Sequence, residues 1–257
     1  MRLSSTALFV SPHFDDVALS CGGTVALQAQ SGRAIVLTVF AGEPASELNS
    51  FARFQHDRWG TDADTVDLRR SEDHAAMKIL GAESHLFEFR DAIYRGDLYL
   101  SDDDLFGPVK PDDVDTQLAV SQRILELSRE IQANRVFLPL AIGGHVDHKL
   151  CHAARLDLEA AGFDVFFYED FPYAASPGAL EARRAELGLA LNSDEVDISE
   201  TVNQRINAIS AYASQVTTIF RHYGPYADVV RAHASVCNRS PDAYVERFWH
   251  VDSRSKR

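Results

Sequence analysis

The sequence predicts an α/β fold with a mainly parallel sheet and helices on both of its faces. Three observations predict this class. Short apolar runs of strand length alternate with longer stretches that have helical spacing. The runs are continuously apolar, which is typical of strands that are buried on both faces. The strand–helix–strand order continues without an internal repeat or a low-complexity linker, so right-handed crossovers should join the strands.

The predicted strands are five short runs rich in apolar or β-branched residues. They cover 7–11, 34–40, 85–89, 135–140 and 164–168. The first run ends just before Pro12, and the fourth leads into a Gly143-Gly144 turn. These strands form the core of a Rossmann-like sheet, whose carboxyl ends are the usual place for a ligand site.

The predicted helices lie between and after those strands. They cover 17–30, 65–80, 115–133, 146–161, 179–189 and 201–217. Gly32 and Gly81 follow the first two, as helix C-terminal glycines do. Residues 195–198 form a possible short strand, and the rest of the chain to about residue 251 mixes helix and loop. The tail 252–257 is expected to be frayed.

Two long loops, 42–64 and 91–113, follow strand ends on the same side of the predicted sheet. Loops of more than about 20 residues are uncommon in a compact domain unless they are functional. The first holds His56, Arg58 and Trp59, and Trp59 is either a pocket wall or a core anchor. The second begins with Asp91, Tyr94 and Arg95, which either bind substrate or form a local ion pair on the surface.

Length and composition limit the function. The 257 residues, of 28.5 kDa, are expected to form a single domain over 1–257. A net charge of −13 argues against nucleic-acid binding and against adsorption to anionic membranes. No apolar run is long enough for a membrane span, and the N-terminus lacks the features of a signal peptide.

The cysteines are few and widely spaced, at Cys21, Cys151 and Cys237. They form no CxxC pair, and their odd number does not suit a fully disulfide-bonded secreted protein. Reduced and mostly buried thiols are therefore expected, which predicts a cytoplasmic protein. A homo-oligomer is compatible with everything in the sequence.

The feature richest in chemistry is the segment SPHFDD at 11–16, just past the first strand. His13, Asp15 and Asp16 offer one imidazole and two carboxylates, which are metal ligands and proton acceptors. Taken alone, Asp15 or Asp16 could simply cap the next helix.

A second cluster, HVDH at 145–148, follows the fourth strand. Its alternative interpretation is a solvated helix start with Asp147 near the positive end of the helix. However, a parallel sheet brings both strand ends to one edge, so three or four of these side chains can converge on one metal. Zinc fits a mixed His and Asp set best, because calcium takes more oxygens and magnesium seldom takes two imidazoles.

These two clusters resemble the motifs PHxDD and HxDH of the zinc-dependent N-acetylglucosaminyl deacetylases, the PIG-L or LmbE-like family. Weaker likenesses cover most of the chain: LRRSE at 68–72, Arg205 with YASQ at 212–215, and Glu-x-Phe at 246–248. Phe14 and Val17 depart from the family pattern but leave the ligand positions intact. A tyrosine that helps the oxyanion in some members is absent before HVDH, and Tyr94, Tyr168 and Tyr173 are the possible substitutes.

The resemblance implies a role for each position. The zinc ligands would be His13, Asp16 and His148, with one divalent metal per chain, and other divalent metals are compatible. Asp15 would be the general base, and His145, as an imidazolium, would stabilise the oxyanion or protonate the leaving amine. Asp147 would fix a histidine tautomer by a hydrogen bond. Arg69 would bind sugar hydroxyls, and Asp91, Tyr94 and Arg95 are further substrate-binding candidates.

The expected function is therefore hydrolysis of the N-acetyl group of an N-acetylglucosamine-type small molecule by zinc-activated water. Two different functions stay open beside it. One is a zinc amidase that cleaves a larger amide conjugate, and the other is a non-catalytic sugar- or nucleotide-binding module on the same fold. An i, i+4 pair of His148 and His152 is a further possible zinc site.

Overall fold

A computed structural model describes residues 6–44, 47–60, 65–236 and 243–251. Its centre is a seven-stranded sheet in the order β3-β2-β1-β4-β5-β7-β6. The strands are β1 Ala7–Ser11, β2 Ala34–Thr38, β3 Glu83–Leu86, β4 Arg135–Pro139, β5 Asp164–Tyr168, β6 Leu191–Asp197 and β7 Val245–Val251. Strands β1 to β5 run parallel, whereas β7 is antiparallel to both β5 and β6. The predicted mainly parallel α/β sheet is confirmed.

The described residues form eleven α-helices. They are α1 Asp16–Ser31, α2 Ser50–Trp59, α3 Thr65–Leu80, α4 Asp102–Leu105, α5 Val114–Glu130, α6 Val146–Ala153, α7 Arg155–Ala160, α8 Ala179–Leu187, α9 Val202–Ser210, α10 Ala213–Phe220 and α11 Tyr226–Val236. Helices α1, α3 and α9 pack together, and α5 packs against α6 and α7. Within the described residues, no helix is long and apolar enough to cross a membrane.

Alternate residues of the central strands supply two separate cores. Phe9 belongs to the core beneath α1, α3 and α9, and the neighbouring Leu8 and Val10 belong to the core beneath α5 and α6. This follows from the two-residue period of a strand, which places successive side chains on opposite faces. Both faces of the sheet are covered at β1, β2 and β4, which explains why these strands are fully buried and largely apolar.

Several predicted boundaries were wrong. The loop predicted over 42–64 contains helix α2, which Asn49 caps by accepting from the Ala52 N–H and which left-handed Gly60 ends. The predicted helices 146–161 and 201–217 are each two helices, and β7 lies where only helix and loop were expected. Gly32 follows α1 in an extended conformation, not a left-handed one. The tail 252–257 and Cys237 lie outside the described residues.

Helix α1 is broken in its middle, at Cys21, whose φ of −145° is not helical. The break leaves backbone groups without helical partners. Glu246 accepts hydrogen bonds from the Gly23 and Thr24 N–H groups at 2.9 and 2.7 Å. The buried Arg205 donates to the Leu19 carbonyl and pairs with Glu246 at 3.2 Å. These two side chains therefore replace the missing helix hydrogen bonds.

Candidate active site

The turn between β1 and α1 leaves both aspartates of the SPHFDD segment available for chemistry. Ser11 Oγ donates to the His13 carbonyl at 2.5 Å and accepts from the Val17 N–H at 3.1 Å. Asp15 occupies the N-cap position of α1, but its side chain makes no capping hydrogen bond. Asp16 accepts from the backbone N–H of His13 at 2.7 Å. Helix capping is thus not the role of Asp15.

Three potential metal ligands from the two sequence clusters converge at the carboxyl ends of β1 and β4. One atom each of His13, Asp16 and His148 lies within 4.8 Å of the others. Asp16 Oδ2 is 3.3 Å from His13 Nδ1 and 3.4 Å from His148 Nε2. This is a donor set of two nitrogens and one oxygen, as catalytic zinc sites have.

Each of the two histidines is held by a carboxylate on its other nitrogen. His13 Nε2 donates to Asp147 Oδ2 at 3.0 Å, and His148 Nδ1 donates to Asp170 Oδ1 at 2.7 Å. Asp170 is itself held by the Ile142 N–H at 2.8 Å. These bonds leave His13 Nδ1 and His148 Nε2 facing Asp16, an arrangement typical of metal-binding histidines. The residues present therefore fit a divalent metal.

The carboxylates stabilise positive charge at this point. Burial alone would lower the pKa of His13, but Asp91, Asp147 and Asp16 raise it well above the usual value. Burial also lowers the pKa of His148, but Asp16 and Asp170 raise it to about 10. Although burial favours its neutral form, the two histidines keep the pKa of Asp16 well below the usual value. A bound cation would meet the same field.

Asp15 lies beside the ligands and lines the pocket. Burial raises its pKa, the Arg69 guanidinium 3.5 Å away lowers it, and the neighbouring Asp16 raises it. A buried carboxylate whose pKa is raised in this way is suited to accept a proton.

His145 caps α6, and its Nδ1 accepts from the Asp147 N–H at 3.2 Å. Burial and the neighbouring His13 lower its pKa to about 3. The resting side chain is therefore a neutral imidazole with its proton on Nε2, whereas the family resemblance implied an imidazolium. A neutral imidazole can still donate one hydrogen bond from Nε2.

The floor of a cleft of about 360 Å³ is formed by His13, Asp15, Asp16, His145 and His148. Its walls come from helices α2, α3 and α10, from the segment after β3 (residues 91–113), and from the residues that follow β5 and α10. The lining side chains include Gln55, Arg58, Trp59, Arg69, Asp91, Asp102, Phe106, Tyr173, Gln215, Ile219 and Tyr223. Phe106, Ile219 and Tyr223 belong to no motif that is recognisable in the sequence.

Of the four predicted substrate-binding residues, Arg69 and Asp91 line the cleft and two do not. The Tyr94 hydroxyl is hydrogen-bonded to His56 Nε2 at 2.6 Å. Arg95 is buried, and its Nη2 contacts Asp147 at 2.6 Å and Asp113 at 3.0 Å. Tyr94 and Arg95 therefore hold the protein together near the site instead of facing a substrate.

The fold also decides the roles of Trp59, His152 and the candidate oxyanion tyrosines. Trp59 lines the cleft with its ring 5.4 Å from the Arg69 guanidinium, so it is a pocket wall. His152 Nδ1 bonds the Pro139 carbonyl at 2.9 Å and is not part of the convergent group with His148. Among the three candidate tyrosines only Tyr173 lines the cleft, since Tyr168 donates to the Val10 carbonyl at 2.8 Å.

Two of the weaker sequence motifs, LRRSE at 68–72 and YASQ at 212–215, connect helix α3 to helix α10. Glu72 accepts from the Ser214 N–H and Oγ at 2.8 and 2.7 Å, and the Tyr212 hydroxyl donates to Asp73 at 2.9 Å. These bonds place Gln215 at the cleft wall. Their role is to fix the position of this wall.

Comparison with known proteins agrees with this geometry. The profile of the PIG-L family, described as GlcNAc-PI de-N-acetylase, matches residues 8–158. The chain is 36% identical over 216 residues to a 2'-N-acetylparomamine deacetylase of Streptomyces fradiae, covering 81% of this chain and 72% of that protein.

Two solved structures are similar over nearly the whole chain. The zinc-inhibited form of teicoplanin deacetylase Orf2 has a TM-score of 0.84 and 28% identity, covering 96% of this chain and 99% of that one. The A40926 pseudoaglycone deacetylase Dbv21 has a TM-score of 0.78 and 30% identity, covering 96% of both chains.

Proposed function

Because the chain belongs to the PIG-L family, a family of metal-dependent N-deacetylases, we propose that its cleft removes the acetyl group from an N-acetylated amino sugar. The single observation that carries the assignment of the site is the convergence of His13, Asp16 and His148, with each histidine backed by a buried carboxylate. A binding module without catalysis does not need this arrangement beside a further buried carboxylate, Asp15.

The proposed metal ligands are His13 Nδ1, the Asp16 carboxylate and His148 Nε2, and the proposed metal is zinc. The nitrogen-rich donor set favours zinc over calcium or magnesium. When bound, such a metal polarises a carbonyl and lowers the pKa of a bound water toward about 7.

The proton transfers belong to Asp15. Its carboxylate accepts a proton from the attacking water as the new C–O bond to the acetyl carbonyl forms. The same proton then passes to the departing nitrogen as the C–N bond breaks, which releases acetate and a free amine. The raised pKa of the buried Asp15 supports the first step, because a stronger base accepts the proton more readily.

The developing oxyanion would be stabilised by two groups on the cleft floor and wall. Neutral His145 offers its Nε2–H, because its Nδ1 already accepts the Asp147 N–H. The Tyr173 hydroxyl is a second donor and is the proposed replacement for the family's oxyanion tyrosine. Such donors act without reorganisation, since both side chains are held by packing against Phe106.

The substrate is proposed to be an amino sugar carried on a larger acceptor. Arg69 and Asp91 would bind sugar hydroxyls, and the Trp59 ring would pack on a sugar face. Beyond them, Phe106 and Tyr223 are each 39% exposed at the cleft mouth, next to Ile219. Exposed aromatic side chains at a pocket mouth favour an acceptor with an apolar surface.

We also infer that residues 1–257 form one domain, because β6 and β7 extend the same sheet as β1 to β5. The proposed location is the cytoplasm. Cys21 and Cys151 are buried free thiols, which suits a reducing compartment.

The test is an acetate-release assay on the full chain. N-acetylglucosamine, an aryl glycoside of N-acetylglucosamine and an amide with a larger acyl group are compared before and after chelation and zinc addition. Zinc-dependent acetate release, faster from the aryl glycoside, is expected. Release of the larger acid alone would establish the amidase, and activity that chelation does not change would contradict the proposed metal site.

A further inference from the structure

We propose that Arg95 is a positioning residue for the metal centre, which acts through Asp147 on His13 and makes metal affinity depend on the segment after β3. The inference rests on the proposed function, since it concerns the same ligand set. Arg95 does not line the cleft and cannot act as a substrate-binding residue there.

Asp147 connects Arg95 to His13. This carboxylate is fully buried and accepts three hydrogen bonds. Its Oδ2 accepts from His13 Nε2 at 3.0 Å and from the Ala92 N–H at 3.0 Å. Its Oδ1 accepts from Arg95 Nη2 at 2.6 Å. Both oxygens are thus assigned: Arg95 holds Oδ1, and Oδ2 faces His13 and the Ala92 N–H.

Arg95 is itself held by several contacts. Its Nη2 also pairs with the buried Asp113 at 3.0 Å, and its Nη1 donates to the Arg90 carbonyl at 2.8 Å. The guanidinium lies between the rings of Phe40 and Tyr99, 5.2 and 5.3 Å from their centroids. A planar guanidinium can satisfy this set at once, which a single ammonium group cannot do.

The contacts that hold Asp147 and Arg95 come from both ends of the segment after β3. Ala92 lies at its start and Asp113 at its end, where the Tyr99 hydroxyl donates to Asp113 at 2.9 Å. Between them the segment carries Asp102 and Phe106 of the cleft wall. One arginine therefore joins the fold of the substrate wall to the orientation of a metal ligand.

The experiment measures zinc affinity on the full chain by competition with a chromophoric chelator, together with the absorption spectrum of the cobalt-loaded protein. Arg95→Lys keeps the positive charge but replaces the planar guanidinium with a single ammonium group. We expect its zinc Kd to rise about 10- to 100-fold, the range for losing a group that orients a metal-bound histidine. The cobalt spectrum is expected to change, because the orientation of His13 changes.

The matched control is Arg135→Lys. Arg135 is also buried, pairs with Gln28 at 3.3 Å, and begins β4 at the sheet edge opposite the ligands. A loss caused only by removing a buried arginine would appear in both variants, whereas we expect the control to keep the wild-type Kd. Melting curves of both proteins without metal establish that each is folded.

The pathway through Asp147 is tested in an Asp147→Asn background. If Arg95 acts through this carboxylate, adding Arg95→Lys to Asp147→Asn produces little further loss of zinc affinity. Additive losses would overturn the proposed pathway, and so would a wild-type Kd in the Arg95→Lys protein. A wild-type chain that binds no zinc would overturn both this inference and the proposed function, whereas normal wild-type binding with an unchanged Arg95→Lys protein overturns this inference alone.

Discussion

Two buried arginine–carboxylate pairs in this protein have nearly the same chemistry but different surroundings. Arg95 holds Asp147 at the catalytic edge of the sheet, and Arg205 holds Glu246 beneath the broken helix α1. Each carboxylate also accepts backbone N–H groups, and each arginine also donates to a backbone carbonyl. The difference is that Asp147 also accepts a hydrogen bond from the side chain of His13, whereas Glu246 accepts from the backbone N–H groups of helix α1.

That difference teaches that burial and ion pairing alone do not identify a functional residue. The third partner of each carboxylate differs. Asp147 also contacts a proposed metal ligand, so its pair should matter for chemistry, whereas Glu246 contacts helix backbone, so its pair should matter for folding. Changes in the Glu246 network should therefore affect stability, and changes at the catalytic edge should affect activity.

The largest effect is expected at Glu246. Glu246→Ala leaves Arg205 buried without its carboxylate and the Gly23 and Thr24 N–H groups without acceptors. Breaking a buried pair in this way costs about 3–5 kcal/mol of the free energy of unfolding. Urea denaturation measures this loss, and kcat of the folded fraction should stay at the wild-type value. A fall in kcat at unchanged stability would remove the distinction between the two pairs.

The next largest effect is on activity, at Asp15. Asp15→Asn cannot accept the proton, so kcat should fall about 10²–10³-fold or more while zinc binding is kept. Stability should not fall, because the replaced carboxylate is buried and its pKa is raised. Steady-state kinetics and zinc titration of the same preparation check this, and a variant with the full rate would exclude Asp15 as the base.

Asp73 extends the comparison to a carboxylate that hydroxyls bind in place of an arginine. The hydroxyls of Tyr212 and Ser84 both donate hydrogen bonds to it. Burial raises the pKa of Asp73 from 3.8 to about 6, although both hydroxyls lower it. The folded state therefore binds the proton more tightly, and wild-type stability falls as the pH rises between these two values. Above about pH 6, the full free-energy cost of burying the charged Asp73 carboxylate is present.

Asp73→Asn has no such titration and keeps an amide in place of the carboxyl. Relative to wild type, its free energy of unfolding should rise by about 1–3 kcal/mol between roughly pH 4 and pH 7. Urea denaturation at several pH values measures the difference. A difference that is constant with pH would show that Asp73 has an ordinary pKa in the folded protein.

The smallest effect is expected at the exposed pair of Arg33 and Glu83. The contact is bidentate, at 2.9 and 2.8 Å, but both side chains are about half exposed. Solvent and salt screen such a pair, so Arg33→Gln should leave the melting temperature unchanged within error. A large shift there would mean that burial is not what separates the strong pairs from the weak one.

Most of the parallel strands and the clustering of residues at the floor of the cleft could be predicted from the sequence, because both depend on local patterns. Continuous apolar runs located β1, β2, β4 and β5, and the motifs at their ends located His13, Asp16 and His148. The role of Arg95 could not be read in this way, since an arginine in a loop after a strand has the same local pattern whether it faces substrate or Asp147. Its carboxylate partners, Asp113 and Asp147, are distant along the chain and meet it only in the folded protein.

The residues of the cleft walls were harder to predict from the sequence for a similar reason. Phe106, Ile219 and Tyr223 come from separate parts of the chain and come together only through the fold. Helix α2 carries an Asn49 cap and a Gly60 stop, but its many polar residues hid the apolar spacing. The strand β7 was missed because it pairs with β5 and β6 as an antiparallel addition after a helical region.

The division between floor and walls has an evolutionary consequence. The floor of the cleft, where the proposed metal ligands lie, is built from turns that follow two adjacent strands, β1 and β4, whereas each wall is a separate segment of the chain. Insertions or exchanges in α2 or α10 can therefore alter which acceptor is admitted while the reacting groups keep their places. The segment after β3 is the exception, because Arg95 ties it to the floor, and it should tolerate the least remodelling when such an enzyme is diversified or engineered.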